Sequence, residues 1–466
     1  MSLWNSNDIA RVTKGQCSGT WNVDAVSIDS RSIKAGDLFI ALQGPNFDGH
    51  DFVASALANG ASGAIVSSIP TGVPADKCVI VEDVFRALHD LGQAGRTRST
   101  AKIIAVTGSV GKTGCKEALR QILTAQASSY ANEGSFNNHW GVPLSLSRMP
   151  QNSHYGIFEL GMNHAGELGP LSQQVRPDVA VITTIAPVHI GNFNSLDEIA
   201  GAKAEIFEGL SRNGHAVLNA DNEYIEFLKQ RAMSDGINAI ATFGKNGMEA
   251  RLENCVLKSD TSDVTATLFG KRINYTIGAP GMHWVTNSLA VLLAAGLAGA
   301  DVAKAAQSLS TLVLAQGRGT PQQITIPSGS ITLIDESYNA SPVAVEMAIK
   351  VLANKQPKGR RILVLGDMRE LGEHSKDAHL GLAKPISDAG ISQVFCCGEH
   401  MKHLFDALPS AIRGGYTFTS AELAPIVASA MRDGDMITVK GSKSVGMQKV
   451  VDALLNLDVS KTKKAG

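Results

Sequence analysis

A chain of 466 residues with 44% apolar and 18% charged side chains is too long for one ordinary core and is expected to divide into two or three. Its 42 basic residues balance 43 acidic ones, which excludes a bulk electrostatic pull toward nucleic acid or an anionic membrane. Six scattered cysteines without a C-x-x-C pair exclude a zinc or disulfide framework and fit a reducing cytoplasm. The N-terminus, MSLWNSNDIARV, lacks a basic-then-apolar leader pattern, and the most apolar run, Leu289 to Ala300, is too short to cross a bilayer. A cytoplasmic protein with no membrane insertion and no nucleic-acid partner is expected. The basic tail SKTKKAG is expected to fray.

The predicted elements give an α/β protein of three domains. Residues 1–98 form a small α/β unit, with helices over Phe52 to Asn59 and Val84 to Gly95 and strands over Gly63 to Ser67 and Cys78 to Val81. The polar stretch 96–101 marks the first boundary. Residues 99–316 form a larger unit with a P-loop-type, mostly parallel sheet. Its strands are Lys102 to Thr107, His154 to Leu160, Asp178 to Ile185 and His215 to Asn219. The run from Ala250 to Gly281 then alternates like antiparallel strands, and Val285 to Leu297 returns to a helix. Residues 317–466 repeat the doubly wound rhythm, Rossmann-like, with strands Ile331 to Asp335, Arg361 to Gly366, Gln393 to Cys397 and Met436 to Val439.

The second unit opens on AKIIAVTGSVGKTGCK. Ile103 to Val106 read as a buried strand, and a helix is expected over Glu117 to Leu123. Between them, Gly108, Ser109, Val110, Gly111, Lys112 and Thr113 make a glycine turn with a lysine and a hydroxyl. Backbone N–H groups and a helix N-terminus there favour phosphate; Lys112 neutralises a β/γ-phosphate and Thr113 offers an oxygen to Mg²⁺. Only Ser109 and Val110 separate Gly108 from Gly111, so the loop is a shortened variant.

Other residues gain meaning beside that loop. Glu159 closes an apolar strand, where a carboxylate either meets a cation such as Mg²⁺ or turns to solvent. Lys203 follows a Ser195 helix start and shares a face with Ile199, Ile206, Phe207 and Leu210. Either its ammonium snorkels to water, or burial keeps the amine neutral and able to take up CO₂ as a metal-binding carbamate. His189 is a loop histidine after a parallel strand, a metal ligand or a surface residue. Asn137 and Asn138 offer amides to a polar substrate or cap a helix. His283 and Asn287 stand at a helix entry, equally open. Arg318 lies at the second junction, where it reaches a γ-phosphate on closure or is solvated. Asp335 and Tyr338 follow the first strand of the third unit, at a crevice suited to a nucleotide.

Together these stretches resemble the Mur ligase family, over nearly the whole chain. TGSVGKT resembles the family's phosphate loop, FELGMNHAGEL its acidic metal segment and GAKAEIFEGL its carbamylated-lysine helix. IDESYNASP, LVLGDMRELG and VKGSKSVGM are most similar to the branch that joins D-alanyl-D-alanine to UDP-N-acetylmuramoyl-tripeptide. The alternative is the branch adding one diamino acid to the dipeptide. The resemblance implies an ADP-forming ligase that works through an acyl phosphate. It implies ATP, two Mg²⁺ and a carbamate on Lys203, and a monomer is expected. It implies catalytic roles for Lys112, His189, Lys203 and Arg318. ATP would meet Gly108 to Thr113, Asn287, Arg318, Asp335 and Tyr338. Metal would meet Thr113, Glu159, His189 and Lys203. Ser30 and Arg31 would meet the UDP-sugar end, and Asn137 and Asn138 the substrate near the central domain. Two positions depart from the family pattern: Gly114 replaces a Ser or Thr, and Trp284 replaces an Asn.

Overall fold

The computed structural model describes residues 2–460; the basic tail from Lys461 lies outside them. Among the described residues three sheets of four or more strands occur in chain order, beside two two-stranded pairs in the first unit. The first is parallel and four-stranded, in the order Ala25–Ser27, Asp37–Ile40, Gly63–Val66, Cys78–Ile80.

The second sheet has nine strands. Lys102–Thr107 lies between Tyr155–Glu159 and Val179–Ile182, parallel to both. Ile103, Ile104, Ala105 and Val106 are wholly buried, because helices cover both faces of a parallel sheet. One face carries Leu119, Ile122 and Leu289, the other Phe158, Ile199 and Phe207. Beyond Ile240–Gly244 the strands Ala250–Leu257, Ser262–Leu268 and Lys271–Ile277 turn antiparallel, as their alternation predicts. The phosphate loop therefore leaves the carboxyl end of an inner strand, where such sheets bind ligands.

The third sheet has six strands, in the order Pro321–Ile326, Gly329–Glu336, Met436–Lys440, Arg361–Gly366, Gln393–Cys397, Arg413–Thr417. All neighbours are parallel except the Pro321–Ile326 edge.

Two expectations need correction. The helix read as Val84 to Gly95 runs to Arg98, so the polar stretch is its last turn rather than a linker. The arginines there are fasteners: Arg96 donates to the main-chain oxygens of Val175 and Arg176 at 2.7 and 3.0 Å, and Arg98 stacks over Trp4 at 3.7 Å. The Lys203 helix ends at Ala204, and the apolar stripe continues through a 3₁₀ turn, Glu205–Gly209.

The same long helix joins the first sheet to the second. A Cβ on Gly92 would fall 2.7 Å from Pro143 O, and one on Gly95 would fall 2.3 Å from Leu146 O. On a free helix Gly→Ala gains up to about 1 kcal/mol. Gly95→Ala is expected instead to destabilise by about 1–3 kcal/mol, the cost of overpacking against backbone that cannot yield. Urea denaturation of the two proteins measures the sign.

Candidate active site

A cavity of about 710 Å³ opens between the phosphate loop and the third sheet, within the range of small-molecule sites, about 300–1,000 Å³. The loop folds as its glycines dictate. Gly108 and Gly111 have φ of +139° and +90°, and a Cβ on Gly108 would stand 2.0 Å from Thr183 Oγ1. Lys112 curls back, its Nζ donating to Gly108 O at 2.6 Å. Burial pulls this ammonium below its ordinary range; Glu159 opposes that pull and Arg318 adds to it. Ser109 holds the loop down rather than offering a free donor. Its hydroxyl donates to Ala186 O and accepts from Ala186 N, and its own N–H donates to Thr184 O.

Thr113 is the meeting point. Its hydroxyl donates to Glu159 Oε2 at 2.8 Å and accepts from Arg318 Nη2 at 3.1 Å. Glu159 is 2% exposed, and its other oxygen accepts from Asn137 Nδ2 at 2.7 Å. A buried carboxylate is tolerable only with such partners. Arg318 lies 4.2 Å over the Tyr338 ring, and the Tyr338 hydroxyl bonds Ser135. Asn287 sits on Gly111, its amide 2.8 Å from where a Cβ would be. Strand end, phosphate loop, domain junction and third sheet thus share one wall.

Two buried lysines flank this cluster. Lys203 is 2% exposed, and its amine has no hydrogen-bond or ion-pair partner among the described residues. Burial drives its amine well below the ordinary 10.5, and the Lys112 ammonium pushes the same way. Lys116, fully buried, is satisfied: Nζ reaches Asn132 O at 2.8 Å, Gly134 O at 3.0 Å and Glu117 at 2.7 Å. Asn132 in turn accepts from Glu159 N and donates to Glu159 O. Sequence reasoning passed over Lys116, although Leu119 and Leu123 follow it at helical spacing, the signal that singled out Lys203.

His189 lines the cavity in a left-handed conformation, φ +62°, with Nδ1 on the carboxylate of Glu370. Among the described residues no three His, Cys, Asp or Glu side chains gather as a ready metal site. Thr113 and Glu159 do converge, and Mg²⁺ needs only one or two carboxylates beside water and phosphate. The donor set fits that ion.

Six expected residues do not line the cavity: Gly108, Lys203, Asp335, Asn138, Ser30 and Arg31. Asp335 lies on the opposite strand face from Ile334 and Glu336, buried, accepting from Ser337 N at 3.0 Å. Asn138 caps the Gly141–Arg148 helix, accepting from Gly141 N at 2.9 Å. Ser30 and Arg31 sit in a 3₁₀ turn on the first unit, where exposed Arg31 pairs with Asp29.

Family models match in sequence order: the Mur ligase family catalytic domain at residues 22–95, the Mur ligase middle domain at 106–295 and the Mur ligase glutamate ligase domain at 322–443. The UDP-N-acetylmuramoyl-tripeptide--D-alanyl-D-alanine ligase of Rickettsia prowazekii is 35% identical, over 97% of this chain and 99% of that one. The chain belongs to the Mur ligase family. The Escherichia coli enzyme of the same name is 32% identical, over 96% and 97% of the two chains. A crystal structure of MurF from Acinetobacter baumannii superposes with a TM-score of 0.84 at 28% identity, covering 97% of this chain and 99% of that one.

In this Mur ligase the two departures from the family pattern prove to be one feature. A Cβ on Gly114 would lie 2.9 Å from the Trp284 ring. The indole occupies the space that a Ser or Thr side chain would need. Gly114→Ser is expected to lose about 1–3 kcal/mol of stability. Adding Trp284→Asn should return most of it, a non-additivity that a double-mutant cycle in urea reads directly.

Lys203 supplies a pH test. Because its folded-state value is depressed, the unfolded chain binds more protons, and native stability rises with pH up to the ordinary 10.5. With CO₂ excluded, Lys203→Met is expected to be the more stable protein at pH 7. That advantage should shrink toward pH 10 in paired denaturant titrations.

Proposed function

We propose that this Mur ligase joins D-alanyl-D-alanine to UDP-N-acetylmuramoyl-tripeptide, converting ATP to ADP and phosphate. The carrying observation is the single cavity walled by the phosphate loop and the third sheet, with Arg318 of the junction bonded to Thr113 of the loop. The names of the full-length relatives supply the substrates.

In the first step a carboxylate oxygen of the tripeptide attacks the γ-phosphorus, the bond to ADP breaks, and an acyl phosphate forms. In the second the amine of D-alanyl-D-alanine attacks the acyl carbon, the carbon–oxygen bond to phosphate breaks, and the amine loses a proton to solvent. Lys112, released from Gly108 O, is set to follow charge onto the transferred phosphoryl group. Arg318, held over Tyr338, offers a second cation from the junction, and its placement requires the third sheet to be docked. Docking also limits water, which would otherwise consume the acyl phosphate. Thr113, Glu159, His189 and a CO₂-derived carbamate on Lys203 would hold Mg²⁺, two ions in all, to offset phosphoryl charge. The unpaired, depressed amine of Lys203 supports that carbamate, since only a neutral amine adds CO₂. No helix among the described residues is long and apolar enough to cross a membrane.

Phosphate release with UDP-N-acetylmuramoyl-tripeptide should require D-alanyl-D-alanine and ATP. Release driven instead by the dipeptide precursor and a free diamino acid would overturn the assignment. Lys203→Ala is expected to lower kcat by about 100-fold or more, with partial recovery in short carboxylic acids and none in added bicarbonate. Full activity of that variant would remove the carbamate from the reaction.

A further inference from the structure

His189 and Glu370 are separated by 181 positions in the chain, yet they meet across the boundary between the second and third sheets. His189 follows strand Val179–Ile182, and Glu370 follows strand Arg361–Gly366. Both line the cavity. Both are non-glycine residues in the left-handed region, φ +62° and +65°, a conformation kept only where the surroundings enforce it.

What enforces it is backbone on backbone. Gly191 N donates to Glu370 O at 3.0 Å. A Cβ on Gly191 would fall 2.6 Å from Gly372 N, so no other residue permits the approach. Ile190, beside His189, packs into the core of the third unit. The loop of one sheet is seated on the loop of the other with no side chain between them, and the His189–Glu370 contact forms at the rim of that seat.

We infer that Glu370 is a positioning residue that sets His189 for ligation. A carboxylate only accepts, so Nδ1 must carry the proton, and Nε2 is the nitrogen left for the cavity. The tautomer and ring orientation of His189 are therefore fixed from the third unit, and they are fixed only when that unit is seated. Docking of the third sheet and assembly of the reaction centre become the same event. The inference rests on the ligase reading for the role of His189, but its geometric half is testable without turnover.

The experiment compares Glu370→Ala and Glu370→Gln with the parent in two measurements. The first is ¹⁵N NMR of histidine-labelled, ligand-free protein, with the His189 signals identified by their loss in His189→Gln. The parent should show Nδ1 protonated and Nε2 bare. Glu370→Ala should show a mixture of tautomers, and Glu370→Gln, whose amide oxygen still accepts, should keep the parent pattern. The second is steady-state ligation. Glu370→Ala should lower kcat by about 10- to 100-fold with the KM for ATP unchanged, as for loss of a residue that orients a ligand, and Glu370→Gln should recover a large part. An unchanged His189 tautomer in Glu370→Ala, or an undiminished kcat, overturns the inference. So does a variant that merely melts earlier, which would make Glu370 a structural clasp. If the parent itself ligates nothing, the ligase reading fails, while the tautomer comparison still decides whether Glu370 sets the ring.

Discussion

The carboxylate of Glu159 is the constraint around which the site is built. It ends a buried strand beside the phosphate strand, where a carboxylate is tolerated only with hydrogen-bond partners. Thr113 and Asn137 take its oxygens, and Asn132 takes both main-chain groups of the same residue. Lys116 then holds Asn132, and Arg318 holds Thr113. Leaving any one of these buried groups unmade costs about 1–3 kcal/mol, so the phosphate helix, the Asn132–Asn137 loop and the domain junction are positioned together rather than one at a time.

The two buried lysines show how one side chain serves opposite ends. Lys116 is bonded to two carbonyls and a carboxylate, so its side chain works as a bolt. Lys203 has apolar neighbours and another ammonium nearby, so its charge is suppressed and its nitrogen becomes chemically available. Periodicity alone marks both as lysines in apolar stripes. Only the neighbours contributed by distant strands and loops separate the bonded amine from the unbonded one.

Much of the fold was legible because parallel strands covered on both faces must be continuous apolar runs. His215–Asn219, Arg361–Gly366 and Gln393–Cys397 end at the residues read from the sequence. The phosphate loop from Ser109 to Thr113, Glu159, His189 and Arg318, legible as strand-end or junction residues, do line one cavity. A strand end has two faces and the sequence names only the end, so it does not tell that Asp335 is turned from the cavity. An amide that caps a helix and one that meets a substrate have the same local spelling, so it does not tell that Asn138 bonds Gly141 N. Glu370 left no local trace: its meaning comes from a backbone approach between loops far apart in the chain. The arginines at 96 and 98 read as a polar boundary because fasteners to main-chain oxygens are as polar as solvent-facing residues.

The Gly114–Trp284 contact also bears on how this pocket could have changed over time. A side chain at 114 would meet the indole, whose ring lies 2.9 Å from where its Cβ would stand. While the indole stands there, position 114 has room for glycine alone, so the two positions are free to change only together.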